Sequence, residues 1–276
     1  MAADTTPCHD SSGTLETLKT LRILGTFQGF GKNAACGDLK RRTRRLPTPH
    51  AGIAIAARGD KKHSMMYIDF HTHKIPTEKD VVAVVDGRDT WGIHPWRADS
   101  LSPCSSPEEK EELEPLPSRG GWEEALAIGE CGLDALRGPS MEVQEAVFRK
   151  QVALSERIER PLIVHCVKAI DRLLRIHKEL KPTQLWMLHG FRGKPQQLRS
   201  LLDAGFYVSF GFNHNDESLR ICPINRMLLE TDTEEGHSIQ EIYNNVARKK
   251  GLDVPTLCEL MAENYRAFYQ NEPLVS

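Results

Sequence analysis

From residue 66 onward the sequence predicts an α/β fold, a (β/α)8 TIM-type barrel. Eight apolar runs of strand length alternate with helix-length amphipathic segments, the order that builds βαβ units. Several runs are apolar throughout, as in Leu162-Ile163-Val164 and Met227-Leu228-Leu229, the composition of parallel strands covered on both faces. An open, doubly wound sheet would carry a Gly-rich turn after its first strand. Two histidines stand there instead. Eight strands in roughly 210 residues place the barrel at the small end of its size range.

The eight runs are Tyr67 to His71, Val81 to Val85, Trp91 to His94, Leu126 to Glu130, Leu162 to His165, Leu185 to His189, Phe206 to Phe210 and Met227 to Thr231. Val143, Val147, Leu154 and Ile158 form one stripe of a helix after Ser140, and Ile170, Leu173, Leu174 and Leu180 form another after the fifth run. Ser238-Ile239-Gln240-Glu241 reads as a capping box, with Gly251 placed to stop that helix. A last helix is expected from about Pro255 to Tyr269. The stretch Asp99 to Gly121, rich in Ser, Pro and Glu, reads as a surface insertion.

Residues 1–64 show no sustained period and end in Arg58-Gly59-Asp60-Lys61-Lys62-His63-Ser64. They read as a disordered or non-native extension preceding a barrel over 65–276. Met65 and Met66 stand before the first run, so one of them is the expected biological start. Charge divides the chain in the same way: residues 1–65 carry eleven basic against five acidic side chains, a balance of +6, and the remainder balances at −8. The basic tract Lys40 to Arg45 belongs to the first part.

No run approaches the roughly 18 apolar residues of a membrane span, and no secretory signal opens the chain. Seven scattered cysteines (8, 36, 104, 131, 166, 222 and 258) form no CxxC pair, the usage of free thiols in a reducing compartment. A cytoplasmic monomer without membrane attachment is the expectation.

Metal-ligating residue types recur at one structural position. His71 and His73 close the first run, two apart and therefore on one face. Glu130, His165 and His189 end the fourth, fifth and sixth runs, and Asp232 follows the eighth. Those positions deliver side chains to the C-terminal mouth of a barrel. Four histidines and two carboxylates gathered there would be unpaired or repelling without a cation. Six ligands exceed one tetrahedral ion and suit two divalent ions about 4 Å apart that share a carboxylate, with Glu130 midway in the set. Such a pair would activate a water and clamp the oxygens of a phosphoryl or acyl centre, which is hydrolytic chemistry. Zinc, manganese and magnesium all accept this mixed ligation.

The motifs Asp69-Phe70-His71-Thr72-His73, Gly92-Ile93-His94-Pro95, Ala127 to Asp134, His165-Cys166, Leu188-His189-Gly190-Phe191 and Leu229-Glu230-Thr231-Asp232 together resemble the TatD family of metal-dependent deoxyribonucleases and hydrolases, in particular its short bacterial members. The resemblance covers Met66 to Tyr269. It implies a barrel of the metal-dependent hydrolase kind, with His71, His73 and Asp232 on one ion, His165 and His189 on the other, and Glu130 between them. It also implies a general-base share for Asp232 and phosphodiester substrates such as DNA ends. Where family members often carry Arg after the His-Cys pair and Pro-Tyr after Glu-Thr-Asp, this chain has Val167-Lys168 and Thr233-Glu234-Glu235. Glu234 and Glu235 would oppose a nucleic-acid backbone if they faced the mouth.

His94, Lys168 and Arg192 are the expected substrate contacts, with Lys194 as a further phosphate-binding candidate. Asp134 either holds a residue of the mouth or caps its own loop. Cys131 and Cys166 read as small core residues, His214 and His237 as loop residues, and the four tryptophans as core or rim packing. The same site would also serve another ester, a phosphomonoester or an amide, and a non-catalytic metal-binding barrel is the reading from a different class.

Overall fold

A computed structural model of the chain describes residues 65–101, 125–234 and 236–269. The expected extension over 1–64, nearly all of the expected insertion, and Glu235 lie outside the described residues. Strands β1 (Tyr67–Thr72), β2 (Val81–Val85), β3 (Thr90–Trp91) and β4 (Ala127–Asp134) come first. They lead into an alternating run: α1 (Met141–Ile158), β5 (Leu162–Val167), α2 (Ile170–Leu180), β6 (Trp186–Leu188), α3 (Pro195–Asp203), β7 (Tyr207–Phe210), α4 (Asp216–Ile221), β8 (Met227–Leu229), α5 (Ile239–Lys250) and α6 (Val254–Phe268). Every strand pairing is parallel.

β1 and β2 form one ladder and β3 to β8 another, in sequence order. Single parallel bridges, Asp86 to Thr90 and Thr72 to Asp232, join the two ladders and complete a circuit of eight strands. The junction of β8 and β1 is confined to the strand ends for an identifiable reason. The Tyr243 hydroxyl of α5 accepts from Ile68 N and donates to Ile68 O, each at 3.0 Å, and the Tyr269 hydroxyl donates to Phe70 O at 3.1 Å. Tyrosines occupy the backbone groups that a continuous ladder would use, so these buried polar atoms remain satisfied. The sheet meets only at its mouth there: Asp232 N donates to His71 O at 3.0 Å, and His73 N to Asp232 O at 3.4 Å.

The expected third strand is shorter than Trp91 to His94. Beyond Trp91 the chain leaves the ladder, because the Gln151 side chain of α1 accepts from Ile93 N at 2.7 Å and donates to Ile93 O at 3.1 Å. A short 3-10 segment, Pro95–Leu101, follows instead. Conversely, β4 runs four residues past Glu130 to Asp134. That extension depends on close approach to β5, since a Cβ at Gly132 (φ +143°) would coincide with the His165 carbonyl oxygen. Glycine is the residue that permits such contact.

Helix ends follow their local chemistry. Ser238 accepts from Glu241 N and Glu241 reciprocates on the Ser238 N–H, while Gly251 closes α5 in the left-handed conformation. Trp186, Phe148, Phe206, Phe210 and Phe268 are fully buried in one continuous core between sheet and helices. No helix among the described residues is long and apolar enough to cross a membrane.

Candidate metal centre

All six expected ligands converge at the C-terminal mouth. Glu130, from β4, stands among them with its two oxygens facing different groups. Oε2 lies 3.6 Å from His71 Nε2 and 3.3 Å from His73 Nε2. Oε1 lies 2.6 Å from His165 Nδ1, 2.8 Å from His189 Nε2 and 3.2 Å from His94 Nε2. Asp232 Oδ1 completes the Oε2 side, 3.9 Å from His71 and 3.5 Å from His73. One carboxylate therefore divides two sets of nitrogen and oxygen donors.

Burial and the close carboxylate–imidazole contacts act on these groups in opposite directions. Burial alone would raise the Glu130 carboxyl, yet the facing His189, His165 and His71 imidazoles hold it far below the carboxylate range. Burial disfavours His189 as a cation, but Glu130 and Glu230 draw it well above the ordinary histidine value. Hydrogen bonds to Asp232 and then Glu130 raise His73 to about 10.

Several atoms of the cluster also stand unpartnered. Among the described residues, His71 Nδ1 and Nε2, His189 Nδ1 and Glu230 Oε2 are buried side-chain atoms without a hydrogen-bond partner. Such orphans are costly in a folded protein. Donor triads that could hold an ion overlap at these atoms: His71, His73 and Asp232; His71, Glu130 and His189; His94, Glu130 and His165; His189, Glu230 and Asp232. Neutral imidazoles and carboxylates are the donors that zinc or manganese accept. The residues present fit a pair of divalent cations.

Three carboxylates went unassigned in the sequence reading. Glu230 is fully buried, accepts from Gly190 N at 2.5 Å and stands 3.4 Å from His189 Nδ1. Asp86 follows β2 directly, accepts from Glu130 N at 3.3 Å and lies 3.7 Å from His73 Nδ1. Asp69 accepts from Thr231 N at 3.0 Å and Thr231 Oγ1 at 2.6 Å, and burial pushes its carboxyl up to about 7. It fastens β1 to the segment that carries Asp232. Asp232 itself has φ +51°, a conformation that costs a non-glycine residue about 1 to 3 kcal/mol and that clusters at functional sites.

The expected substrate contacts divide. His94 stands deeper than a rim contact, against Glu130 and, ring to ring at 4.5 Å, against His165. Lys168 is exposed on the loop after β5 with φ +53°. Arg192 is paired, donating to Glu234 Oε1 at 2.8 Å. Glu234 also accepts from Phe212 N at 3.0 Å and Asn213 Nδ2 at 3.1 Å, and its side chain is 10% exposed. Glu234 is thus held by Arg192, Phe212 and Asn213, and the Arg192 guanidinium offsets its charge. Asp134 does both things expected of it. Oδ1 accepts from Leu136 N and Arg137 N, and Oδ2 accepts from Trp96 Nε1 at 2.6 Å and lies 3.2 Å from His165 Nε2. Cys131 is buried and Cys166 half-buried against the core.

A family described as TatD related DNase matches residues 54–270. Among curated relatives, the 3'-5' ssDNA/RNA exonuclease TatD of Salmonella typhimurium is 30% identical over 207 residues, covering 66% of this chain and 77% of the relative. An uncharacterized metal-dependent hydrolase of Buchnera aphidicola is 33% identical over 48% of this chain and 54% of its own length. The 3'-5' ssDNA/RNA exonuclease TatD of Klebsiella pneumoniae is 33% identical over 52% of this chain and 56% of its own length. The chain thus spans about half the length of the latter two. The crystal structure of YJJV, a TatD homolog from Escherichia coli, is similar in fold with a TM-score of 0.60 at 18% identity, covering 76% of this chain and 100% of that one.

Proposed function

Because the chain belongs to the TatD-related DNase family, we propose that it is a hydrolase of phosphodiester bonds that works with two divalent cations and takes the ends of single-stranded nucleic acid. The observation that carries this reading is the division of donors by Glu130: His71, His73 and Asp232 on the side of Oε2, His165, His189 and His94 on the side of Oε1. When bound, the cations supply the positive charge that activates a water and neutralises the phosphate oxygens.

The protein's own groups do the rest. Glu130 is held as a carboxylate and keeps the two donor sets apart. Asp232 has a side chain 22% exposed, more open than Glu130 at 7%. Its carboxylate is therefore the group placed to take a proton from the attacking water and pass it outward. Burial raises the Asp232 carboxyl, but the His73 hydrogen bond together with the nearby His189 and His71 imidazoles outweighs burial and leaves it below its ordinary value, so it is ionised and ready to accept at neutral pH. Glu230 and Asp134 each face one ring nitrogen of a histidine, His189 and His165, and thereby fix which nitrogen points at Glu130. The barrel over residues 65–276 is the proposed catalytic unit, and the exposed Lys168 is its proposed phosphate contact.

The test is a screen of the full chain with magnesium, manganese or zinc against single-stranded DNA, RNA, a phosphomonoester and an acyl ester. Metal-dependent release of nucleotides is expected, and Glu130→Gln should reduce it to the uncatalysed background. Full activity in Glu130→Gln would refute the assigned centre, and turnover of the acyl ester alone would move the reaction to a different bond.

A further inference from the structure

The assignments above account for a phosphodiester and its cations and leave the bases of a nucleic acid uncontacted. One aromatic side chain at the mouth is placed to contact them. Trp96 follows His94-Pro95 in the 3-10 segment after β3, and 43% of its surface is exposed. Its indole N–H is fixed on Asp134 Oδ2, a carboxylate only 3% exposed. The ring stands edge to face with His94 at 4.6 Å and with His165 at 6.0 Å between centroids. Its polar edge is thus satisfied and its orientation set, while much of the side chain stays outside the core. Trp186, by contrast, is 1% exposed and packs among Phe148 and Phe206.

A cation accompanies the ring. The Arg137 guanidinium lies 4.9 Å from the Trp96 ring centre, within the range of cation–π attraction. Arg137 has no carboxylate partner among the described residues, although Asp134 is three positions away and accepts the Arg137 backbone N–H. Arg192, the arginine singled out in the sequence, is instead paired with Glu234. The guanidinium of Arg137 is therefore held by an indole and not by a carboxylate among the described residues.

We propose that Trp96 and Arg137 form a nucleobase-stacking subsite beside the metal centre, which takes the base of the nucleotide whose phosphodiester is cleaved. This rests on the phosphodiesterase reading above. Every base presents a π face, so an indole stacks bases without choosing among sequences, and an arginine adds charge attraction to the adjoining phosphate. His165 connects the two sites: it contacts Glu130 through Nδ1 and faces Asp134, the holder of the indole, through Nε2. A base on Trp96 is one ring away from the donors that flank the scissile phosphate.

The full chain, loaded with manganese, would be assayed on two single-stranded oligonucleotides that differ only in having a base or an abasic residue at the cleaved nucleotide. The wild type should prefer the base-bearing strand by roughly tenfold or more in kcat/KM. Trp96→Ala should bring that ratio close to one, Trp96→Phe should retain most of it, and Arg137→Ala should lower kcat/KM on both strands while leaving the ratio near its wild-type value. An unchanged ratio in Trp96→Ala overturns the subsite. A ratio in Trp96→Phe as low as in Trp96→Ala also overturns it, since Phe keeps a stacking ring and loses only the hydrogen bond to Asp134. Should the protein hydrolyse no phosphodiester, the functional reading fails, and the subsite is decided by fluorescence anisotropy with the same oligonucleotides. Tighter binding of the base-bearing strand that is lost in Trp96→Ala sustains it, and equal binding by the wild type overturns it.

Discussion

Glu230 is a carboxylate with no exposed surface and one oxygen without a partner, a combination that packing alone does not favour. Its neighbour His189 presents Nε2 to Glu130 and Nδ1 to Glu230. A carboxylate behind a ligating histidine fixes the ring and strengthens it as a donor, and losing such a group typically costs about 10- to 100-fold in metal affinity or activity. Glu230→Gln is therefore expected to raise the metal concentration needed for half-maximal hydrolysis by that order, with an unchanged circular dichroism spectrum. Unaltered metal dependence would show that Glu230 does not support His189. The period of two that joins His71 to His73 also joins Glu230 to Asp232, so this residue was legible in the sequence. Asp86 was legible too, as the first residue past an apolar run. Asp86 lies one residue beyond the run Val81 to Val85, and Glu230 lies inside the run Met227 to Thr231, where the stronger ligand Asp232 follows. Trp96 and Arg137 are different: no sequence period brings them together, since Asp134 of another strand fixes the indole.

At the scale of elements, the strands announced themselves and the short connections did not. Apolar runs located the strands to within a few residues, because burial on both faces leaves little room for polar side chains. β3 was overextended because the Gln151 amide, 58 positions away, replaces ladder partners at Ile93. The six-residue α4 has few apolar positions, and only its Asn215 cap and the acidic pair Asp216-Glu217 mark it. One contact between elements is open to a quantitative test. Glu156 of α1 accepts from Thr183 N at 2.9 Å, Thr183 Oγ1 at 2.5 Å and Gln184 N at 2.9 Å, tying α1 to the segment entering β6. Burial raises its carboxyl, but these donors outweigh burial and hold it below the ordinary value. A depressed carboxyl contributes stability that is present above its unfolded pKa, about 4.3, and lost as pH falls through the folded one. Glu156→Gln should therefore cost about 1 kcal/mol at pH 7, allowing for solvent screening, and nearly nothing at the acid end of the stable range. Urea unfolding of both proteins at the two pH values measures this. A gap that stays constant with pH would locate the effect in shape rather than charge.

For the whole molecule, the decisive property is that one end of the strand circuit gathers Asp69, Asp86, Glu130, Asp134, Glu230 and Asp232 beside His71, His73, His94, His165 and His189. The sequence disclosed the six expected ligands of this arrangement, though not Asp69, Asp86 or Glu230, because a parallel barrel places all strand ends on one side, so that separated motifs report a single location. It did not disclose how the circuit closes, since Tyr243 and Tyr269 come from helices 175 and 199 positions from their partners on β1. The closing bridge between Thr72 and Asp232 joins the same two segments that supply His71, His73 and Asp232. A cation bound by those three residues would consequently hold the ends of the barrel together. Ligands that bind only the folded state stabilise it by about 2.7 kcal/mol at a hundredfold excess over Kd, which corresponds to a rise of about 5 to 11 °C in Tm for a domain of this size. Addition of manganese or zinc to chelator-treated protein should raise Tm by that order in differential scanning fluorimetry. Asp232→Asn should reduce the rise more than Lys168→Ala, because only Asp232 belongs to both the donor set and the closing bridge. Equal shifts in the two variants would separate metal binding from closure of the barrel.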